Sequence, residues 1–265
     1  MAGLKDVTIK GGYKSLVRIG DNNGVQNSPI QATDGDGVSV PMSIGKNLVV
    51  VSPSTTDGNS FEVQDLAGAT VNFRVNTNTP FVTALGHYVN TQYAYFGVTN
   101  TDSAAFADDT HQAIPFSGGN GMGDASYPPE FGTSTDPETT FTTADSNNHR
   151  ASDLVPCLWF VKDNITIDDI DCFVGSDHAT ADTATRIHLF QYTFNSGSTS
   201  ALTSGSVIAH STADTSNSGS EQIYKTTLTK DVTDIDAGKV IVAMFRSDSI
   251  NGDFSISITC KYHLR

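Results

Sequence analysis

The chain has 265 residues and a formal net charge of −14, with 15 Lys and Arg set against 29 Asp and Glu. A surface of that sign repels a phosphate backbone, which basic groups must neutralise for binding, so nucleic acid is not an expected partner; an anionic membrane surface is disfavoured on the same ground. Only Glu62, Glu130, Glu138 and Glu221 are Glu, the apolar fraction is 37% and Gly numbers 23, a vocabulary of turns and strands because Asp prefers caps and turns to helix interiors.

The N-terminal stretch MAGLKDVTIKGGYK has no apolar run fit for a signal peptide, and nowhere does an apolar span approach the roughly 20 residues of a membrane helix. Synthesis in a cytoplasm without membrane insertion is expected. Residues 1–80 then read as an N-terminal β-rich region: VTI, SLVRIG, GVSVPMSI and NLVVVS are short strand candidates separated by polar turns at 21–24, 34–37 and 57–58. It closes on FEVQDLAGATVNFRV, two alternating strands about a Gly-containing turn, with Phe61 and Val63 answered by Val71, Phe73 and Val75. Fifteen residues cannot bury such a face alone, so the question is whether it enters its own domain's core or meets copies of itself.

Residues 81–150 read as an extended connecting region. TQYAYFGV is a strand candidate and TDSAAFADD a possible helical turn, followed by more than thirty residues dense in Gly, Pro, Ser, Thr and Asp, the composition of a linker or a binding loop. Ile114, Phe116, Tyr127, Phe131 and Phe141 are scattered through it and predict that it lies along a surface.

Residues 151–265 carry the cleanest periodicity. In FSISITCKYHLR the residues alternate between a dry face (Phe254, Ile256, Ile258, Cys260, Tyr262, Leu264) and a wet one, and KVIVAMFR is apolar on both faces, as a central strand should be. Asn251-Gly252 supplies a type I′ turn signal between them. With CLWFV, ITIDDIDCFV, TRIHLFQYTF, SVIAH and QIYKTTLT, some seven strands joined by turns predict an antiparallel β-sandwich of jelly-roll type, and the fold class is all-β.

Chemical signals are sparse. There is no GxSxG elbow, GxxxxGK[ST] loop or HExxH pair, so no catalytic residue is assigned and the protein is expected not to be an enzyme. SGGNGMG at 117–123 neither follows a buried parallel strand nor opens a helix, and reads as a flexible linker. The seven His fall singly, without metal-ligand spacing. Cys157, Cys172 and Cys260 form neither a disulfide framework nor a zinc motif and read as small core residues. DGDG at 34–37 lacks the later ligands of a calcium loop, and Asp168, Asp169 and Asp171 read as a charged strand edge, with alternation sending Asp168 to the face opposite the other two. No metal and no cofactor are expected. Phe190, Tyr192 and Phe194 share one strand face; burial in a central strand and a sugar-stacking or subunit-contact face are the two readings of it.

FEVQDLAGATVNFRV is similar to hairpins in the stalks and anchoring modules of tailed-bacteriophage fibres. The upstream YKSLVRIGDNNGVQNSPIQATDGDGVSVPMSIG resembles the N-terminal adaptors of such proteins, while LGHYVNTQYAYFGV and RSDSINGDFSISITCKYHLR resemble structural proteins of marine phages of cyanobacterial hosts. The resemblance implies a virion structural protein, a homotrimer with an N-terminal anchor and a sandwich head, whose other partners are capsid, neck or tail proteins. A single good hairpin copy favours a short fibre, spike or decoration over a long fibre. On this reading Phe61, Val63, Val71, Phe73 and Val75 line a subunit interface. Two alternatives stand beside it: a lectin-like head recognising host surface glycan through Phe190, Tyr192 and Phe194, and, ranking lower, a polysaccharide depolymerase using paired carboxylates.

Overall fold

The computed structural model describes residues 18–19, 25–33, 38–53, 60–68, 70–79, 81–100, 107–116, 128–176, 183–211, 215–217, 222–247 and 254–265. The turns expected at 21–24, 34–37, 57–58 and 251–252 and the Gly-rich stretch at 117–123 lie outside the described residues. The chain separates into two units, Met1–Val89 and Asn90–Arg265.

The first unit is two antiparallel meanders in succession. One has the order β1 (Arg18–Ile19), β2 (Ile30–Thr33), β3 (Ser39–Ile44), β4 (Val49–Val51); the other has the order β5 (Phe61–Gln64), β6 (Val71–Asn76), β7 (Phe81–Ala84), β8 (His87–Tyr88). Local chemistry sets each reversal of the second meander. At the β5–β6 turn Gly68 takes φ +68° and donates its N–H to the Asp65 carbonyl. After β6 the Asn76 side chain accepts from the N–H groups of Asn78 and Thr79, an Asx turn. Between β7 and β8, Leu85 and Gly86 both adopt positive φ, the geometry of a two-residue hairpin. Among the described residues of this unit Ala32 is the one buried apolar side chain.

The second unit is built on eight principal strands in two sheets. β9 (Thr91–Asn100), β12 (Ile165–Ser176), β16 (Gln222–Thr227) and β20 (Phe254–Leu264) form one sheet in the order β16-β12-β20-β9. β10 (Gln112–Ile114), β13 (Thr183–Phe194), β14 (Leu202–His210) and β19 (Lys239–Ser247) form the other in the order β10-β19-β13-β14. Short pairings extend them: β11 (Trp159–Phe160) on β19, β15 (Thr215–Asn217) on β13, β17 (Thr229–Lys230) on β14 and β18 (Asp234–Ile235) on β12. First pairs with last, second with next to last, and so inward: β9 with β20, β10 with β19, β12 with β16, β13 with β14. That nesting is the strand order of a jelly roll, as the strand spacing predicts.

Between the sheets lies a core that includes Phe96, Ile114, Trp159, Ile170, Leu189, Ile241, Phe245 and Ile258. β12 enters it with a phase change. Ile165 and Ile167 are buried, and so are Ile170, Cys172 and Val174, which strict alternation would send to opposite faces. A bulge between Ile167 and Asp169 absorbs the extra residue. Asp168 is that residue, and simple alternation therefore misplaces it.

A second core explains why β19 is apolar on both faces. Val240, Val242 and Met244 turn away from the sandwich interior and pack with Phe190 and Tyr192 of β13 beneath Phe131, Phe141, Leu154 and Cys157. The cover over this outer face is the segment expected to be a connector. At one edge Phe131 and Ala113 donate N–H to the carbonyls of His111 and Pro129; at the other, Phe141 and Gly205 donate to Leu202 and Thr139. In between, the Tyr192 hydroxyl donates to the Glu138 carbonyl at 2.7 Å. Residues 128–144 thus form a strap across the sheet. A helical turn, α1 (Ala151–Leu154), and the 3-10 turn Val155–Cys157 then add Leu154 and Cys157 to the same core.

The expected three-part division at 80 and 150 is therefore redrawn. β7 and β8 belong to the first meander unit, and β9, β10 and the strap belong to the jelly roll, because Phe96, Ile114, Phe131 and Phe141 are buried there.

Candidate functional site

In the first unit the hairpin of β5 and β6 pairs Phe61 with Val75, Glu62 with Arg74 and Val63 with Phe73, and then slips by one residue so that Gln64 faces Val71. The Glu62–Arg74 ion pair (2.6 Å) holds the opposite face. Phe61 and Phe73 meet edge to face with centroids 6.3 Å apart, but they do not bury one another: Phe61 is 41% exposed and Val63 46%. Phe61, Phe73 and Val75, together with Val51, Pro53, Ser60 and Thr77, line an open groove of about 330 Å³. Of the five residues expected on one apolar face, three line this groove; Val63 stands beside it across from Phe73, and the slip takes Val71 out of line. Val49, Leu66, Leu85 and Val89 are also more than half exposed. Several apolar side chains of this unit's sheets thus stand open to solvent among its described residues.

In the second unit the aromatic strand resolves in favour of burial. Phe190 and Tyr192 are 2% and 0% exposed beneath the strap, and only Phe194, at 42%, reaches the surface. A sugar cannot stack on the first two, so the predicted Phe190–Tyr192–Phe194 contact face is not formed. Exposed aromatics occur instead on the outer face of the β16-β12-β20-β9 sheet, where Tyr93, Tyr95 and Phe173 are about half exposed and flank Ser257 and Thr259 of β20 through the register Tyr95–Thr259 and Phe173–Ser257.

The acidic cluster is taken up by internal partners. Asp168 accepts from His263 Nδ1 at 2.9 Å, Asp171 pairs with Lys225 at 3.1 Å, and Asp169 accepts the Ile170 N–H. No group of three or more His, Cys, Asp or Glu side chains among the described residues is placed to hold a metal ion. The three cysteines are buried thiols, each pushed up to about 12 chiefly by burial.

The fold also assembles a cluster that sequence spacing hides. His111, just before β10, and His188, on β13, are 0% and 1% exposed and meet edge to face with centroids 4.9 Å apart. His210 of β14 stacks on His188 at 6.3 Å and is held by Asp231 through Nδ1 at 2.7 Å. His111 Nε2 lies 2.9 Å from the Ser134 carbonyl of the strap, and His188 Nε2 lies 3.5 Å from the Asp136 carboxylate. The Nδ1 atoms of both rings are buried with no hydrogen-bond partner among the described residues. Burial holds His111 below the ordinary imidazole range; burial, and then His111 itself, push His188 down to about 4. The one sequence signal was a polar residue, His188, flanked by Ile187 and Leu189 in the largely apolar stretch IHLFQY.

No protein-family model matches the chain, and no curated protein matches it significantly. No described helix is long and apolar enough to cross a membrane.

Proposed function

We propose that this chain is a non-enzymatic structural protein of a tailed-bacteriophage particle, which forms a short homotrimeric fibre, spike or decoration through its first unit and carries the jelly roll as its head. The observation that carries the reading is the contrast between the units. The jelly roll has two cores, whereas Ala32 is the one buried apolar side chain described in the meander unit. Small sheets become stable when a hydrophobic face is covered, and covering the Phe61–Phe73–Val75 groove with copies of itself makes folding of this unit inseparable from assembly. The remaining apolar surface at Val49, Leu66 and Leu85 is available to a capsid, neck or tail protein. The resemblance of the hairpin to fibre-anchoring modules supports the virion setting. Sedimentation velocity tests it: the wild-type chain is expected as a trimer and Phe73→Asp as a monomer. A monomeric wild type overturns the oligomer, and an unweakened Phe73→Asp trimer overturns the groove as its seat. Immuno-electron microscopy of particles with antibody to the chain tests the virion setting, and unlabelled particles overturn it.

A second reading, a head that recognises host surface glycan, is favoured by Tyr93, Tyr95 and Phe173 beside the short hydroxyls of Ser257 and Thr259. Aromatic rings flanking small polar groups suit a sugar face and its hydroxyls. Adsorption of the full chain to susceptible cells that Tyr95→Ala weakens is expected on this reading; absence of adsorption removes it.

A further inference from the structure

We propose that the strap at 128–144 is an acid-released cover: protonation of His111 and His188 frees it from the outer face of the β10-β19-β13-β14 sheet and uncovers Phe131, Phe141, Phe190 and Tyr192. The geometry carries this. Both rings sit at the edge where the strap is fastened, since His111 exchanges backbone bonds with Phe131 and Gly132 and its Nε2–H donates to Ser134. In that tautomer the proton of an imidazolium must go to Nδ1, and in each ring Nδ1 is buried with no partner among the described residues to accept a hydrogen bond. A cation made there is desolvated and leaves its Nδ1–H without an acceptor among the described residues, a costly state for a buried polar group.

The surrounding charges do not rescue it. Each ring raises the cost of charging the other at 4.9 Å, and Arg186 and Arg246 act in the same direction. His210 adds a third potential cation. Of the carboxylates, Asp231 is engaged by His210 and Asp109 by Arg246 at 2.9 Å. Asp136 is the nearest counter-charge to His188, but it is 65% exposed and belongs to the strap itself.

The direction follows from linkage. His188 is pushed down to about 4 when covered, and its ring returns towards the ordinary value of about 6.5 once the strap opens and water reaches it. The closed state is therefore fully favoured above about pH 6.5 and loses ground as pH falls towards 4, because the open state binds the extra proton. From His188 alone, the opening equilibrium rises roughly thirtyfold between about pH 7.5 and about pH 5.

Hydrogen exchange read by mass spectrometry on the full chain tests the proposal, with rates corrected for the intrinsic effect of pH. Peptides within 128–144 are expected to lose at least about tenfold protection at about pH 5 while those of β12 and β20 keep theirs. In His111→Gln/His188→Leu the response should vanish. His149→Asn is the control, because His149 stacks on Phe141 at 5.6 Å from outside the cluster, and this variant should keep it. Uniform loss of protection, no loss, or a response that follows His149 overturns the proposal. Should the double variant fail to fold, the wild-type chain still decides by NMR: the His188 ring must titrate in step with strap exchange, and independent titration overturns the proposal.

Discussion

Gly205 lies directly against the ring of Tyr192: a Cβ there would strike the ring and come within 2.9 Å of the Thr139 Cα. The close approach lets β14 pass under the strap while Gly205 donates its N–H to the Thr139 carbonyl. Gly205→Ala should therefore cost about 1–3 kcal/mol by overpacking, read as a lower urea midpoint at unchanged slope. Tyr192→Phe keeps the packing and removes only the bond to Glu138, so its expected cost is about 1 kcal/mol. The opposite ranking would mean that the bond, rather than the contact, fixes the strap.

Deletion of Asp168 tests the bulge in β12. Removing it restores strict alternation and forces either Ile165 and Ile167 or Ile170, Cys172 and Val174 onto the wet face. Both sets are buried, so the deletion is expected to abolish the cooperative transition in circular dichroism. Asp168→Ala keeps the residue count and loses the bond to His263, a cost of about 1–3 kcal/mol with the fold intact.

These two sites show what sequence reveals here and what it conceals. The jelly roll was legible because β20 alternates strictly and β19 is apolar on both faces, whereas plain alternation applied to β12 missed the phase slip that the spacing of Ile165, Ile167, Ile170 and Cys172 carries. The strap was concealed because Pro, Gly and Ser around Phe131 and Phe141 carry no period, although these rings, with Ile114, Phe116 and Tyr127, signalled a segment lying along a surface. Of the groove's lining, Phe61, Phe73 and Val75 were legible through alternation, whereas Val63 stands beside the groove and the slip in β6 displaces Val71. The histidine cluster was concealed because its members, His111, His188 and His210, come from three separate stretches of chain that only the sheet brings together.

The thiols give a prediction that bears on folding alone. Cys157, Cys172 and Cys260 are buried and pushed up to about 12; at about pH 8 the thiolate fraction is then on the order of one in ten thousand. Ellman's reagent should label none of them in the native chain at that pH and all three after denaturation. Rapid native labelling of Cys157 would indicate that the strap and the helical turn beside it open at neutral pH. Labelling of Cys172 or Cys260 would instead indicate an opening of the sandwich.

The contrast between a unit with two cores and one whose described residues bury a single apolar side chain predicts two unfolding events with different dependences on protein concentration. The jelly roll buries its own apolar faces, so its transition should not move on dilution. On the proposed trimeric reading the unit whose Phe61, Val63, Val49 and Leu85 are exposed in the single chain is stabilised by assembly, and mass action then shifts its midpoint with concentration. Differential scanning calorimetry over a hundredfold dilution should show the lower transition falling in temperature while the upper stays fixed. Phe61→Ser should move the lower transition alone, because Phe61 lines the groove and takes no part in either jelly-roll core. A single transition independent of concentration would sink the idea that copies of the chain cover this face.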